Sequence, residues 1–322
     1  MNSNEFIAPT TLSYYGKSNI TIIMKGIGKA RTISLTSNGS MFTVGSGVTL
    51  ILDDNIILKG LYSNTDSLVK VYSNGTLVMY AGSRITGNTT SYGGGVYVYD
   101  GTFTMSGGTI SGNTASSIGG GVYVSDGIFT MSGGTISGNT AKYSGGILVS
   151  NGGIFTMSSG EVSGNSGGGV EVDSSSTFTM DNGKISGNTT SYGGGVDVSG
   201  TFTMSGGEVS GNISTGSGGG VYVYTSGTFT MSGGEVSGNT SSSFGGGVYV
   251  YTSGTFTKTG GGTIYGYTSG DTNSNVVKNS SGVVQNNSGH AVYVSYGKRR
   301  ETTAGPTVNL NSALDGATGG WE

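Results

Sequence analysis

Three carboxylates, Glu171, Asp173 and Asp197, are the side chains of this 322-residue chain best suited to chemistry. They lie in two neighbouring copies of a short segment, 170–173 and 196–199, which carries tyrosine at the same places in other copies. If the copies are adjacent strands, the carboxylates lie on one face within about 5 to 7 Å of one another. Such a group could hold Ca²⁺ or act as an acid and base pair on a glycan. The alternative is drift of exposed positions in a degenerating repeat.

Tyrosines flank these carboxylates along the same face. Their aromatic rings could stack on sugar rings on either side of the acidic positions. The tyrosines predicted to bind a ligand are Tyr97, Tyr99, Tyr222, Tyr224, Tyr249 and Tyr251.

A second face carries a Thr-x-Thr array, interrupted only where Ile128 and Ile154 replace the first threonine. Flat threonine arrays of this kind resemble the ice-binding faces of β-solenoid antifreeze proteins. Threonine is also an ordinary choice for a solvated strand, since it combines β propensity with hydroxyl ladders. The residues of the array are Thr102, Thr104, Thr177, Thr179, Thr201, Thr203, Thr228, Thr230, Thr255 and Thr257.

Composition argues against several functional classes. The chain has no cysteine, so disulfides and cysteine-ligated metals are excluded. A net charge of −3 with scattered basic residues argues against a nucleic-acid partner. No signal peptide and no transmembrane segment are predicted, because the chain has neither a basic start followed by an apolar core nor a long apolar run. No metal site other than the carboxylate group is expected, and the lone His290 lacks the neighbours of a catalytic triad.

The element that must position all these side chains is a repeat. Three phrases recur together: Gly-Gly-Gly-Val-Tyr-Val, Thr-Phe-Thr-Met and Thr-Ile-Ser-Gly-Asn. A period of 23 to 27 residues indicates a solenoid. The phenylalanine of the second phrase marks the repeat at Phe103, Phe129, Phe155, Phe178, Phe202, Phe229 and Phe256.

Each phrase alternates apolar and polar residues with a period of two, which is strand behaviour. Three short strands per unit, joined by glycine turns, predict an all-β parallel β-helix of about ten coils. Each strand then pairs with its own copy one coil further on, so that like residues stack ~4.8 Å apart. The apolar set of valine, phenylalanine, methionine and isoleucine is predicted to fill the interior.

An asparagine follows glycine at the end of every third strand. Asparagine tolerates the left-handed conformation, and its amide can both donate and accept hydrogen bonds between coils. A buried asparagine ladder is therefore predicted in the turn, in preference to a row of ligand-binding amides. Its members are Asn88, Asn113, Asn139, Asn165, Asn188, Asn212 and Asn239.

The predicted domain organisation is a single rod. Residues 1–19 are interpreted as an N-terminal cap and 20–297 as the β-helix repeat domain, with its clean repeats at 91–262. A polar excursion interrupts the pattern at 271–287, and 298–322 is interpreted as a C-terminal cap or tail. Caps are expected because the open sheet edges at the ends of a β-helix invite association.

The repeat resembles that of known bacterial surface proteins. Residues 93–96 and 110–113 are similar to the paired tetrapeptides of the chlamydial polymorphic outer-membrane proteins, and to Gly-rich surface repeats in the pectate-lyase-like superfamily. Isoleucine or valine replaces the phenylalanine of the chlamydial motif. The resemblance implies a right-handed β-helix with an extracellular or cell-surface location, adhesion or display as its role, and a host surface protein or glycan as partner.

The sequence favours a non-enzymatic adhesin or rigid stalk, because the convergent residues of a catalytic site are missing from it. One alternative is a polysaccharide lyase or glycosidase that uses Glu171, Asp173 and Asp197. The other is an ice-binding solenoid that uses the Thr-x-Thr face. Cofactors are not expected apart from Ca²⁺ at the carboxylates, and the sequence leaves the oligomeric state open.

Overall fold

The computed structural model describes residues 1–14, 16–259, 261–267, 269–285, 288–295 and 298–301. All regular secondary structure in these residues is β-strand, and the strands pair in parallel with their copies in adjacent coils. Residues 302–322, most of the predicted C-terminal cap or tail, lie outside the described part of the chain.

The strands fall into three groups along the chain. The strands before the clean repeats are β1 (Glu5–Ile7), β2 (Thr10–Leu12), β3 (Ile20–Met24), β4 (Arg31–Leu35), β5 (Phe42–Val44), β6 (Val48–Leu52), β7 (Ile56–Lys59), β8 (Val69–Val71), β9 (Thr76–Met79), β10 (Arg84–Thr86) and β11 (Thr89–Tyr92). The clean repeats form β12 (Val96–Tyr99), β13 (Thr102–Ser111), β14 (Thr114–Ile118), β15 (Val122–Ser125), β16 (Ile128–Ser137), β17 (Thr140–Tyr143), β18 (Ile147–Ser150), β19 (Ile154–Ser163), β20 (Val170–Val172), β21 (Thr177–Met180), β22 (Lys184–Ser186), β23 (Thr189–Thr190), β24 (Val196–Val198), β25 (Thr201–Met204), β26 (Glu208–Ser210), β27 (Ile213–Ser214), β28 (Val221–Val223), β29 (Thr228–Met231), β30 (Glu235–Ser237), β31 (Thr240–Ser241), β32 (Val248–Val250), β33 (Thr255–Lys258) and β34 (Thr263–Ile264). The last group is β35 (Val276–Val277), β36 (Val292–Val294) and β37 (Lys298–Glu301).

The coils of the clean repeats contribute to three walls of the solenoid. The first strands form an eleven-stranded sheet, here called sheet 1, that runs from β2 to β36. The second and third strands together form a nineteen-stranded sheet, sheet 2. In β13, β16 and β19 these two strands are continuous, with a register shift at the glycines between them.

A fourth short strand, present in most coils from Asn88 onward, was not predicted from the sequence. It directly follows the asparagine and forms a third wall, built from β11, β14 and β17 in one piece and β23, β27, β31 and β35 in another. Ser166 bridges Thr140 and Thr189, so the wall continues between the two pieces. Strands this short lack the period-two pattern by which a strand is recognised in sequence.

The interior consists of the predicted columns of like residues. The phenylalanine rings from Phe103 to Phe256 stack on one another with centroids 4.5 to 5.0 Å apart. Valines of sheet 1 and methionines of sheet 2 are fully buried beside them. The prediction that the apolar set faces inward is confirmed, because the in-register pairing repeats one interior layer in every coil.

The asparagine ladder is confirmed and is longer than predicted. The side-chain oxygen of Asn139 accepts from both the backbone N–H and the amide of Asn113, at 3.1 Å in each case. The same pair of bonds recurs from coil to coil, and the ladder also includes Asn64 and Asn275. The predicted left-handed conformation belongs to the preceding glycine instead: Gly112 has φ +66°, and the equivalent glycines of the other coils are similar. Glycine takes that conformation without a Cβ clash.

Both ends of the repeat depart from the simple pattern. Within the segment interpreted as an N-terminal cap, β1 and β2 pair with β4 and β5 and extend the stack of coils. Inside the excursion at 271–287, β35 pairs with β31 and occupies the place of a fourth strand. The backbone N–H of Val277 donates to Nδ1 of the buried His290, 2.9 Å away, which holds the excursion against the next coil.

Candidate functional site

The outward face of sheet 1 forms the floor of a groove. The turns between the fourth strand and the glycine triplet form one wall, because they project beside this face. Two clefts lie end to end along this groove and share Asp197, while a third lies nearer the N terminus. The groove follows from the repeat, since successive coils add residues to its floor and a turn to its wall.

The largest of the three clefts, here called the aromatic cleft, has a volume of about 440 Å³. Two tyrosines from each of two coils form its floor, and residues of the turns form its wall. Its lining residues are Tyr192, Asp197, Gly216, Ser217, Tyr222, Tyr224, Ser243, Phe244, Tyr249 and Tyr251.

The predicted tyrosines of this cleft differ in exposure. Tyr224 is 47% exposed, whereas Tyr222 and Tyr249 are only 5% and 7% exposed. Outward positions were expected to be open to solvent, and this expectation is wrong for Tyr222 and Tyr249. Tyr192 packs edge-on against Tyr222 with ring centroids 5.5 Å apart, and Phe244 stacks near Tyr249 at 6.4 Å. The wall turns cover the inner tyrosines and leave the outer ones accessible.

The tyrosines nearer the N terminus form a separate group. Tyr97 is half-buried, and its ring centroid lies 4.9 Å from that of Tyr123. Tyr99 is exposed and packs edge-on against Tyr72. Tyr97 and Tyr123 line a cleft of about 330 Å³ that also contains Lys70. Burial raises the pKa of Tyr97, as it does for Tyr222 and Tyr249. All six predicted tyrosines therefore lie along the same face, in two groups.

The structure brings two of the three predicted carboxylates into one cleft. Glu171 and Asp197 are register partners on β20 and β24, and both line a cleft of about 220 Å³, here called the acidic cleft. Asp173 lies two residues further along its chain and does not line that cleft. Ser144, held at φ +56° in the neighbouring turn, donates a hydrogen bond to Glu171. The predicted group of three thus resolves into a pair with a neighbour.

Burial dominates the electrostatics of this pair. It raises the pKa of Asp197 to about 8, and the nearby charges of Glu171 and Asp173 add to the shift. Burial also raises the pKa of Glu171, with Asp173 adding to the shift and the hydrogen bond from Ser144 opposing it. At neutral pH the Asp197 carboxyl is therefore mainly protonated, so it can donate as well as accept a hydrogen bond.

A basic side chain also lines the acidic cleft. Lys142 lies on β17, in the wall of this cleft. Its ammonium group lies 5.0 Å from the centroid of the Tyr143 ring. Among the described residues, no three acidic or histidine side chains are grouped so as to hold a metal ion.

The threonine face is on sheet 2 and consists of two rows. One row is unbroken over seven coils, from Thr104 through Thr179 and Thr203 to Thr257. The other contains Thr102, Thr177, Thr201, Thr228 and Thr255, with the exposed Ile128 and Ile154 between the first two. Most of these threonines are half-buried by their in-register neighbours.

Sequence reasoning missed the wall of the groove. Tyr192 and Phe244 lie in turns and Lys142 lies on the fourth strand β17, all outside the strands to which the pattern was fitted. One local signal marks two of them, because an aromatic residue directly precedes the glycine triplet at Tyr192 and Phe244. A bulky residue at the edge of a strand face is typical of a wall that covers its neighbours.

The described part of the chain contains no helix with the length and apolarity needed to cross a membrane. No curated protein and no solved structure matches the chain. The family model described as "Right handed beta helix region" matches residues 29–233, which is more than half of the chain. The match agrees with the stacked parallel coils and confirms the predicted all-β, right-handed parallel β-helix of about ten coils. The chain belongs to the right-handed β-helix family.

Proposed function

We propose that the protein is a non-enzymatic β-helix that binds a glycan or a host surface protein through the aromatic cleft, as an adhesin at the cell surface. The aromatic cleft carries this proposal: a concave site of about 440 Å³ lined by six aromatic side chains. Tyrosine offers a large apolar area together with a polar hydroxyl, and such rings dominate binding surfaces. The solenoid acts as a rigid stalk for this site.

The rigidity supports this role. The ladder asparagines are fully or almost fully buried and hydrogen-bonded to the next coil, and the phenylalanine column is continuous beneath the cleft. The floor residues are therefore positioned before any ligand arrives. A preorganised site loses less entropy on binding.

The test is binding to a panel of immobilised polysaccharides and host matrix proteins, with Tyr224→Ala and Tyr251→Ala combined in one variant. We expect the double variant to bind the ligand that the panel identifies at least about ten-fold more weakly than the wild type, since two ring contacts are lost. Tyr80→Ala is the matched control, because Tyr80 is similarly exposed at 43% and lies away from the groove. Equal binding by all three proteins would contradict the proposal.

A second candidate function is a carbohydrate lyase or glycosidase at the acidic cleft. The observation in its favour is that Glu171 and Asp197 share one cleft while the pKa of Asp197 is raised to about 8. Acid and base catalysis on a glycan requires one carboxyl that holds its proton, and the raised pKa of Asp197 suits it to that part. Glu171→Gln and Asp197→Asn should then abolish turnover of a polysaccharide while the protein stays folded, whereas unchanged turnover would eliminate this candidate.

An ice-binding role rests on the unbroken threonine row of sheet 2. Thermal hysteresis of the wild-type protein is the measurement, and replacing Thr179 and Thr203 by tyrosine should abolish it. A wild-type protein without hysteresis would remove this candidate.

A further inference from the structure

The inner tyrosines of sheet 1 follow a hydrogen-bonding rule. In three coils the tyrosine at the centre of the first strand lies beside a serine of the next coil, placed two residues further along its strand: Tyr97 beside Ser125, Tyr123 beside Ser150, and Tyr249 beside Ser295. Ser150 donates a hydrogen bond to the Tyr123 hydroxyl at 3.3 Å, and Ser125 and Ser295 oppose the rise in the pKa of Tyr97 and Tyr249. The rule satisfies a polar group that the wall turns shield from solvent.

Tyr222 breaks this rule. The position that holds serine in the other coils is Tyr251 here, and the Tyr222 and Tyr251 rings stack with centroids 6.4 Å apart. Across the described residues, the Tyr222 hydroxyl forms no hydrogen bond, although only 5% of the residue is exposed. The residue lines the aromatic cleft, so its hydroxyl is available to a ligand or a water molecule that enters the cleft.

The broken rule coincides with the end of a tyrosine ladder. Tyr224 stacks on Tyr251 with centroids 5.5 Å apart and an interplanar angle of 21°, so its opposite face points toward the preceding coil. That coil has Asp197 as the register partner of Tyr222, followed by Ser199 rather than a second aromatic ring. The row of outer tyrosine rings therefore ends beside the small side chain of Ser199, and Tyr224 is 47% exposed.

We propose that this junction is a binding subsite for one sugar unit of a linear neutral glycan. The Tyr224 ring stacks on the sugar, and the Tyr222 hydroxyl and the Asp197 carboxyl hydrogen-bond to its hydroxyl groups. The inference rests on the proposed glycan-binding role of the aromatic cleft and names its ligand class. The glycan lies along the solenoid axis, because Asp197 also lines the acidic cleft and joins the two clefts end to end.

Charge selects neutral sugars over uronic acids at this subsite. Asp197 lines both clefts, Glu171 and Lys142 line the adjoining acidic cleft, and the charge of Asp173 influences both carboxyls. Burial already raises the pKa of Glu171 and Asp197, which means that this part of the groove disfavours negative charge. A uronate would add a further negative charge, whereas a neutral sugar needs only hydrogen-bond partners.

The experiment measures calorimetric binding of three probes of equal length: cellohexaose, mannohexaose and a galacturonate hexamer. We expect at least one neutral probe to bind, and the galacturonate to bind about ten-fold more weakly or not at all. Tyr222→Phe removes a single hydroxyl and should weaken binding of the neutral probe about five-fold or more. Tyr80 lies on another face, so the Tyr80→Phe variant should bind the neutral probe like the wild type.

A stability measurement separates a ligand-directed hydroxyl from a structural one. Tyr222→Phe should leave the urea midpoint of the unliganded protein unchanged, because no internal hydrogen bond is lost. Tyr123→Phe should lower the urea midpoint, since the hydrogen bond from Ser150 to the Tyr123 hydroxyl is lost. A lower midpoint for Tyr222→Phe, or unchanged binding by that variant, overturns the subsite and leaves the proposed function standing. Tighter binding of galacturonate overturns the neutral selectivity, and failure of all three probes together with a negative panel overturns both.

Discussion

At the scale of single residues, the amino-acid type at each strand position depends on whether its side chain points into the solenoid or outward. The same phrase places phenylalanine and methionine in complete burial and threonine, between them, on the half-buried outer face. Each phenylalanine ring between Phe103 and Phe256 has a copy on both sides, at centroid distances of 5.0 Å or less. Interior positions are therefore constrained by packing, and outer positions are available for function.

Phe178→Ala should lower the free energy of unfolding by roughly 3 to 5 kcal/mol, because it leaves a cavity in the ring column. Phe178 is fully buried between Phe155 and Phe202, so the neighbours have little freedom to fill the space. Urea unfolding measures the change, with Thr179→Ala as the control on the outer face. Equal effects of the two substitutions would show that the column contributes nothing special.

Asp197 should make stability depend on pH. The folded protein holds its proton up to about pH 8, whereas an unfolded chain releases it near 3.8. Between these values the folded state binds more protons, so stability falls as pH rises. Asp197→Asn should raise the free energy of unfolding by roughly 1–3 kcal/mol at pH 8, a figure reduced for the partial exposure of the group, and by almost nothing at pH 3. Urea unfolding at the two pH values decides; an equal gain at both would be incompatible with the raised pKa.

At the scale of elements, glycines do two separate jobs in each coil. Gly138 precedes the ladder asparagine at φ +62°, with nothing within 4 Å of the position a Cβ would take. Gly145 belongs to the glycine stretch before the first strand, where a Cβ would lie 2.2 Å from the backbone oxygen of Ser166 in the next coil. One glycine supplies a backbone conformation, and the other permits close stacking of the coils.

Gly145→Ala should therefore destabilise the protein more than Gly138→Ala. The change at Gly138 costs about 1 to 2 kcal/mol for the left-handed conformation alone. The change at Gly145 forces two backbones apart and should reduce the thermal midpoint further, or prevent folding. Differential scanning calorimetry of the two variants provides the comparison, and a larger loss for Gly138→Ala would refute the division of roles.

At the scale of the whole molecule, stability arises from contacts between adjacent coils. In the described part of the chain, strands pair with the equivalent strands of neighbouring coils, from β1 with β4 through to β33 with β37. Such a solenoid approximates a sum of coil and interface contributions. The groove along sheet 1 is likewise built coil by coil, since successive coils supply its floor and wall.

Deleting residues 103–128 should remove one coil and leave the rest folded. The cut joins Thr102 to Phe129, which restores the Thr-Phe-Thr-Met phrase, and β13 and β16 share the same register. We expect a smaller denaturant m-value, because less surface is exposed on unfolding, and unchanged ligand binding by the distant aromatic cleft. Loss of the β-sheet circular dichroism signal would contradict the modular description.

The repeat predicted the interior well and the groove poorly. The inward residues and the ladder from Asn88 to Asn239 follow from a period that fixes both strand direction and partner. The wall residues Tyr192 and Phe244 were missed, because no short-range pattern defines how a turn folds beside a sheet. For the same reason the acidic group was predicted as three carboxylates, whereas the cleft contains two carboxylates with Lys142 in its lining.

The sequence alone determined the solenoid: which residues lie inside, which copies stack and where asparagine forms a ladder. These properties repeat with the chain, so periodicity is sufficient to specify them. Only the tertiary structure decided that the inner tyrosines are covered, that Asp197 joins two clefts and that the Tyr222 hydroxyl lacks the serine its counterparts have. Those properties depend on side chains from different coils and from the turns beside them, which meet only when the coils are stacked.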